Sequence, residues 1–170
     1  QGKTYSRCVY IWVDKDYAVM RGQFQGYPKK IGSIHLTRPT SVGKAGPRLE
    51  QGGTFGATLA AYDHRLIQAK FTIERESDHA GFVNALPMVH NRWMPSIECD
   101  GRDSLDEVVT MSGYDAEIGL TFEGSFEIDF FSSPVEEFNL LSPEELIKGY
   151  YRQVGVSWKG GTTLKRSNLT

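Results

Sequence analysis

From Leu66 to Glu74 the side chains change character at every step: Leu66, Gln68, Lys70, Thr72 and Glu74 alternate with Ile67, Ala69, Phe71 and Ile73. A period of two marks a strand with one face on a core and the other in water. Such a strand has unpaired backbone along both edges, so the rest of the chain must supply neighbours. Thr54–Tyr62 supplies one, as a hairpin across Asp63-His64-Arg65. Cys8–Val13 is β-branched and aromatic and reads as a strand buried on both faces. Tyr17–Gln25 reads as extended, interrupted by Gly26-Tyr27-Pro28. Ile31–Leu36, Val108–Met111 and Glu117–Phe122 read as strands, and Gly124-Ser125 as a turn into Phe126–Phe131. Tyr150–Trp158 is the last expected strand, before a polar tail. Residues 39–53 form a long Gly-, Pro- and charge-rich surface loop. One helix is expected: Ser142 as N-cap, Pro143 at the first position, Glu145 at the capping-box position and Gly149 as the stop. Seven to nine strands with one short helix predict a mainly β (α+β) fold, closed or sandwiched to hide its edges, over a single domain, 1–170.

A chain of 170 residues can bury a core without staples. With 19 basic and 21 acidic residues its net charge is −2, which argues against a nucleic-acid partner. Apolar runs are short and broken by Gly or charge, so no membrane partner is expected. Two cysteines, Cys8 and Cys99, cannot build a disulfide framework and fit a reducing, cytoplasmic setting. No signal sequence opens the chain, which starts at Gln1 in what looks like a strand pattern.

Most routes to chemistry close quickly. His35, His64, His79 and His90 are scattered without metal-ligand spacing. Gly43-Lys44-Ala45-Gly46 is not a phosphate loop, Gly52-Gly53 opens no dinucleotide fingerprint, and no GxSxG is present. Glu123, Glu127, Asp129, Glu136 and Glu137 read as solvated charge. What remains is Arg21-Gly22-Gln23-Phe24-Gln25-Gly26-Tyr27-Pro28-Lys29-Lys30. Taken locally it is a turn with two solvated lysines at a strand start. The alternative is that one lysine is a desolvated amine nucleophile. A free lysine, with a pKa of about 10.4, is protonated at neutral pH and cannot attack a carbonyl; burial in an apolar pocket can lower it by several units. If residues 23–30 are extended, Gln23, Gln25, Tyr27 and Lys29 share a face and Lys30 points away. Desolvation, more than repulsion from Lys30, is then expected to lower the Lys29 pKa.

Gly26-Tyr27-Pro28-Lys29-Lys30, preceded by Arg21-Gly22, resembles the active-site signature of the acetoacetate decarboxylase superfamily. The resemblance extends to Ile31-Gly32-Ser33-Ile34, to Asn91-Arg92-Trp93-Met94-Pro95 and to the final strand. It implies a closed, cone-shaped β-barrel with few short helices. It makes Lys29 the Schiff-base lysine and Lys30 the neighbour credited in that family with lowering its pKa. It implies a small keto acid as substrate and no metal or organic cofactor, since the protonated imine is itself the electron sink. It also implies a homo-oligomer.

The resemblance has two departures. The decarboxylases carry an aromatic residue four positions before the lysine and a glutamate two positions earlier, where this chain has Gln25 and Gln23. Gln25 is similar to the aldolase–dehydratase branch, in which that amide contacts substrate. The family's acidic residues and a substrate-binding arginine lie upstream of the lysine, beyond Gln1. The chain is therefore expected to lack the family's N-terminal part, which a separate polypeptide could supply. Substrate contacts are expected from Gln25, Tyr27, Arg92 as a carboxylate clamp, and Tyr151 as the inward member of Tyr150-Tyr151. Glu74 and Glu76 are candidate acids. Decarboxylation of a β-keto acid is the first expectation. The alternatives are imine-based aldol condensation and dehydration of pyruvate-like substrates, or a non-catalytic small-molecule-binding barrel.

Overall fold

The computed structural model describes residues 2–79 and 85–168; residues 80–84, within the stretch 77–104 that the sequence leaves unassigned, lie outside it. The elements run β1 (Ile11–Val13), α1 (Asp16–Gln25), β2 (Lys29–Ile31), β3 (Ser33–Leu36), β4 (Thr54–Ala61), β5 (His64–Glu76), β6 (Met88–Pro95), β7 (Asp103–Met111), β8 (Gly113–Phe130), a 3-10 turn (Phe138–Leu141), β9 (Gly149–Trp158) and β10 (Thr162–Arg166). The chain divides into two compact units. The first holds β1, α1, β2, β6, β7, β10 and the portions of β8 and β9 up to Glu117 and from Gly155. The second holds β3, β4, β5 and the remainder of β8 and β9. Among the described residues no helix is long and apolar enough to cross a membrane.

In the first unit β1 pairs in parallel with β2, setting Ile11 beside Lys29 and Trp12 beside Lys30. A separate antiparallel sheet has the order β10-β7-β6. Glu107 at its centre is opposite Arg92 on one side and Arg166 on the other. Both arginines pair with the Glu107 carboxylate, whose side chain is fully buried. Tyr27, Val109 and Met111 form the apolar cluster of this unit, with Cys8, Met88 and Trp158 packed around them.

The expected extended segment at 17–25 is instead α1. Its start is favoured by Asp16, whose Oδ1 accepts from the Tyr17 N–H at 2.7 Å and whose charge suits the helix N-terminus. Gly26, at φ 75°, ends it in the left-handed region. The Gly26 N–H donates to the Gln23 carbonyl and the Tyr27 N–H to the Gly22 carbonyl, which is a Schellman stop. Gly26-Tyr27-Pro28 is thus a helix terminator and not a break in a strand. The helix escapes a periodicity reading because only Gly22 is buried, while Tyr17, Met20 and Phe24 are exposed.

The second unit is built on the sheet β3-β4-β5-β8-β9. The expected β4–β5 hairpin is present, its turn tightened to Tyr62-Asp63 between the paired Ala61 and His64, with Tyr62 at φ 55°. Phe55, Phe71 and Phe126 line up across three strands, and Phe55, Phe71, Ile73 and Phe122 are the buried core. Leu66 falls in the polar phase of β5 yet is fully buried, because the pairing skips it between Ile67 and Arg65. A bulge of this kind lets one residue change face without breaking the strand.

Four further expectations are corrected. Gly124-Ser125 is no turn: β8 runs through it, and the irregularity lies opposite, where Glu74 is extra in β5. A Cβ at Gly124 would overlap the Thr72 carbonyl, so the glycine marks a close strand approach. Residues 142–149 are not helical; a 3-10 turn at Phe138–Leu141 precedes them, so the capping signals have no helix to cap. The polar tail contains β10, which pairs with β7. Cys8–Val13 is a strand only from Ile11, and Val9 is exposed.

Candidate active site

Lys29 and Lys30 open β2, and successive strand side chains diverge. Lys30 is exposed, with its Nζ 5.9 Å from the ring centroids of both Tyr10 and Trp12. Lys29 is half-buried and its stem crosses α1 at Gly22. A Cβ on Gly22 would stand 2.5 Å from Lys29 Cδ and 2.7 Å from Cγ, so only glycine leaves that path open. Beyond this crossing the Lys29 Nζ lies 5.4 Å from the centre of the Tyr27 ring.

Tyr27 is buried and held from two sides. Its ring packs on His90 at 4.2 Å between centroids, and its hydroxyl donates to Met88 Sδ at 3.5 Å. His90 is buried too, and its Nε2 accepts from the Cys8 backbone N–H at 3.2 Å. The Nδ1 nitrogen has no hydrogen-bond partner among the described residues. Burial, with Arg7 adding to it, lowers the His90 pKa and favours the neutral ring. Because Nε2 accepts, the proton of that ring sits on Nδ1.

Burial lowers the Lys29 pKa below the ordinary lysine value, and the positive charge of Arg21 lowers it further, while Cys8 opposes them. Burial is the leading cause, as expected, but the premise of an extended 23–30 fails: Gln23 and Gln25 lie on α1, and only Lys29 and Lys30 alternate on a strand. The cation that adds to burial is Arg21, not the sequence neighbour Lys30. Burial raises the Cys8 pKa against the pull of Lys29. The Tyr27 phenol is pushed up to about 12, chiefly by burial and then by Cys8, and so stays protonated at neutral pH.

Arg21 and Gln25, four residues apart and so on one face of α1, line a cavity of about 560 Å³ with Arg92, Met111, Trp158 and Lys159. No Asp or Glu lines it among the described residues. Arg92 is no free clamp: its Nη1 is 2.5 Å from Glu107 Oε2, which fixes the guanidinium at the cavity wall. Tyr151 belongs to the second unit, where its ring stacks on Phe55 at 4.5 Å and faces Phe71 at 6.3 Å. Of the two adjacent tyrosines it is the one packed on the core. Glu74 and Glu76 are exposed at the end of β5. Glu123, read as solvated, is buried: its Oε1 pairs with Arg75, and its Oε2 pairs with Lys148 and accepts from Ser77.

The structure therefore gathers Lys29, Tyr27, Cys8, His90, Arg21 and Gly22, with Gln25 and Arg92 on the cavity that Arg21 shares. The sequence reading missed Cys8, His90 and the roles of Arg21 and Gly22. Once Gly26 and Pro28 are recognised as a helix stop, helical spacing puts Arg21 and Gln25 on one face. Nothing local in the sequence could have brought Cys8 and His90 to Tyr27.

A mainly β fold in which a half-buried lysine of lowered pKa opens a strand just after a helix stop is the arrangement that the acetoacetate decarboxylase signature predicts. The profile of the acetoacetate decarboxylase (ADC) family matches residues 1–167, and the chain belongs to that family. The enduracididine biosynthesis enzyme MppR, solved in complex with pyruvate, is 34% identical with a TM-score of 0.85, over 95% of this chain and 60% of its own. MppR has also been solved with the condensation product of pyruvate and imidazole 4-carboxaldehyde, at 33% identity and the same TM-score over 94% of this chain and 60% of its own. An acetoacetate decarboxylase-like enzyme from Sphingomonas wittichii is 27% identical with a TM-score of 0.84, over 95% of this chain and 63% of its own. The chain thus spans about 60% of the length of these structures. No curated protein sequence matches it.

Proposed function

We propose that this chain carries the nucleophile of an imine-forming lyase acting on a small 2-keto acid, with aldol condensation and dehydration as its chemistry. The observation that carries the proposal is Lys29, a half-buried amine of lowered pKa beside Arg21, with no ion-pair partner among the described residues. The neutral Lys29 amine attacks the ketone carbon, and water leaves as the carbinolamine collapses to the protonated imine. Loss of a proton from the adjacent carbon gives an enamine. That carbon adds to the carbonyl of an aldehyde, water is eliminated, and hydrolysis returns the free amine. Tyr27 sets its ring beside the amine while its hydroxyl is engaged with Met88, and Gln25 can donate its amide to the substrate carboxylate but cannot act as an acid or base.

Arg21 favours this chemistry over the decarboxylation ranked first from the sequence. Decarboxylation needs the carboxylate to leave as neutral CO₂, and a guanidinium that binds the ground-state carboxylate stabilises the charge that must be lost. A reaction that retains the carboxylate uses the same cation as a handle throughout. The relatives solved with pyruvate and its condensation product support the same order. Family membership keeps β-keto acid decarboxylation as the second reading, since both routes share the imine.

The test is to incubate the protein with pyruvate or acetoacetate, add borohydride, and locate the reduced secondary amine by mass spectrometry. A pyruvate-dependent adduct on Lys29, absent in Lys29→Gln, with consumption of an added aldehyde supports the proposal. Release of CO₂ from acetoacetate, with no aldehyde product, gives the second reading instead. Absence of any adduct on Lys29 leaves the non-catalytic binding domain.

A further inference from the structure

We propose that the second unit contains its own binding site for a small molecule with a planar apolar body and a carboxylate, held by Arg38 and Tyr151 over Ala57 and Ala69. The site is a cavity of about 660 Å³, within the range of ordinary small-ligand pockets. Its shape follows from the sheet register. Ala57 and Ala69 are directly opposite on β4 and β5 and, being small, leave a hollow floor. One residue pair displaced by two along the same strands, Phe55 and Phe71, closes one end of that floor. Tyr151 lies across them, with centroids 4.5 Å from Phe55 and 6.3 Å from Phe71 and interplanar angles of 28° and 18°. Phe55 and Phe71 are buried beneath it, so the half-buried Tyr151 ring, backed by them, supplies the face on which a planar ligand can stack.

The polar end is cationic. Arg38, which follows β3, lines the cavity and forms no ion pair among the described residues. It is close enough to Tyr151 to oppose the upward effect of burial on the phenol pKa. No Asp or Glu lines the cavity among the described residues. Lys70 also borders it, but its ammonium is 3.1 Å from Glu127, directly opposite on β8, and is neutralised there. A guanidinium unpaired among the described residues, a half-buried phenol able to donate and the ring of that phenol together match an aryl-alkyl carboxylate. The guanidinium and the phenol hold its carboxylate by charge-assisted hydrogen bonds. Every residue of this site lies in the second unit, so the proposal does not rest on the imine chemistry of Lys29.

The probe is 3-phenylpropionate, which has no carbonyl able to form an imine. Its affinity is measured by calorimetry beside that of 3-phenylpropanol, which lacks the charge, and acetate, which lacks the ring. The expected result is binding of 3-phenylpropionate at least about tenfold tighter than either control, with about tenfold lost in Arg38→Gln. Ala69→Leu, which fills the floor, abolishes binding, while Lys29→Gln leaves it unchanged. Arg38 is exposed, so its substitution should not unfold the chain, and circular dichroism checks that it has not. Equal affinity for the acid and the alcohol, no effect of Arg38→Gln, or loss of binding in Lys29→Gln would each overturn the proposal.

Discussion

Glu107 and Lys29 belong to the same unit and treat charge in opposite ways. The Glu107 carboxylate is fully buried, and the sheet register places an arginine directly opposite it on both neighbouring strands. The half-buried Lys29 amine has a cation, Arg21, acting on it and no carboxylate partner among the described residues. Burying a charge is costly unless it is paired, and Glu107 meets that rule twice over. Lys29 departs from it, and the departure lowers the pKa of its amine. An ion triad that fixes three strands and an amine denied a counter-ion are two uses of the same physics, one for structure and one for reactivity.

The largest effect on stability is expected on the Glu107 side of this comparison. Glu107→Gln leaves Arg92 facing a neutral amide in a buried setting and should cost about 3 kcal/mol, the low end for breaking a buried pair, because the exposed Arg166 can turn to water. Urea denaturation measures it. Borohydride trapping on Lys29, scaled to the folded fraction, should survive. Loss of trapping in fully folded Glu107→Gln would show that the two regions are not separable.

Gly22→Ala should show the opposite pattern. In an exposed helix interior the change gains up to about 1 kcal/mol in helix propensity. Here it places a methyl on the path of the Lys29 stem, so the amine must move. Trapping with pyruvate should fall sharply while the melting temperature holds. A variant that traps as well as the parent would show that the crossing at Gly22 does not position Lys29.

This division also shows what was legible in the sequence. The signature at 26–30 was legible as a family mark because it is contiguous, and the β4–β5 hairpin because period two and turn residues are local signals. Helix α1 was not, since an exposed helix has no apolar stripe to read and Gly26-Tyr27-Pro28 reads equally as a strand break. Leu66 looked misplaced in its alternation because a bulge shifts phase without leaving a compositional mark. The Glu107 triad depends on β6 and β10 pairing with β7, which is a property of register across distant strands. Cys8 and His90, 82 residues apart, meet for the same reason. Ser142-Pro143-Glu144-Glu145 carried every local helix signal without being a helix, showing that capping residues alone do not supply a face to bury.

A smaller effect separates the two candidate charges near the amine. Arg21→Met should raise the Lys29 pKa and move the rising limb of imine formation to higher pH. Lys30→Met should move it less, because that ammonium lies by the rings of Tyr10 and Trp12. The rate of borohydride-trappable adduct against pH, measured for both variants, decides between them. The reverse ranking would restore the sequence neighbour as the activating charge and remove the reason for preferring Arg21 as a carboxylate handle.

The last contrast is in the pH dependence of folding, where a paired carboxylate acts on the acid limb and an unpaired amine on the alkaline one. The Lys148 ammonium, with Ser77 and Arg75, holds Glu123 down to about 2 from an ordinary value of 4.5. Its stabilisation is complete above about 4.5 and is lost as the pH falls toward about 2, because the unfolded chain takes up the proton first. Glu123→Gln should therefore lower stability at neutral pH and flatten the acid limb over that interval. Lys29 gives the same upward slope with pH, but in the alkaline window, so its contribution at neutral pH is unfavourable where that of Glu123 is favourable. Its folded-state pKa is below the ordinary 10.5, so the folded chain releases the proton first. Stability then rises as pH increases through the folded pKa and levels off near 10.5. Lys29→Met should raise stability at neutral pH and erase that alkaline rise. Were the rise to persist in Lys29→Met, another group would be its source, and the unpaired amine could no longer be the strained member of the comparison.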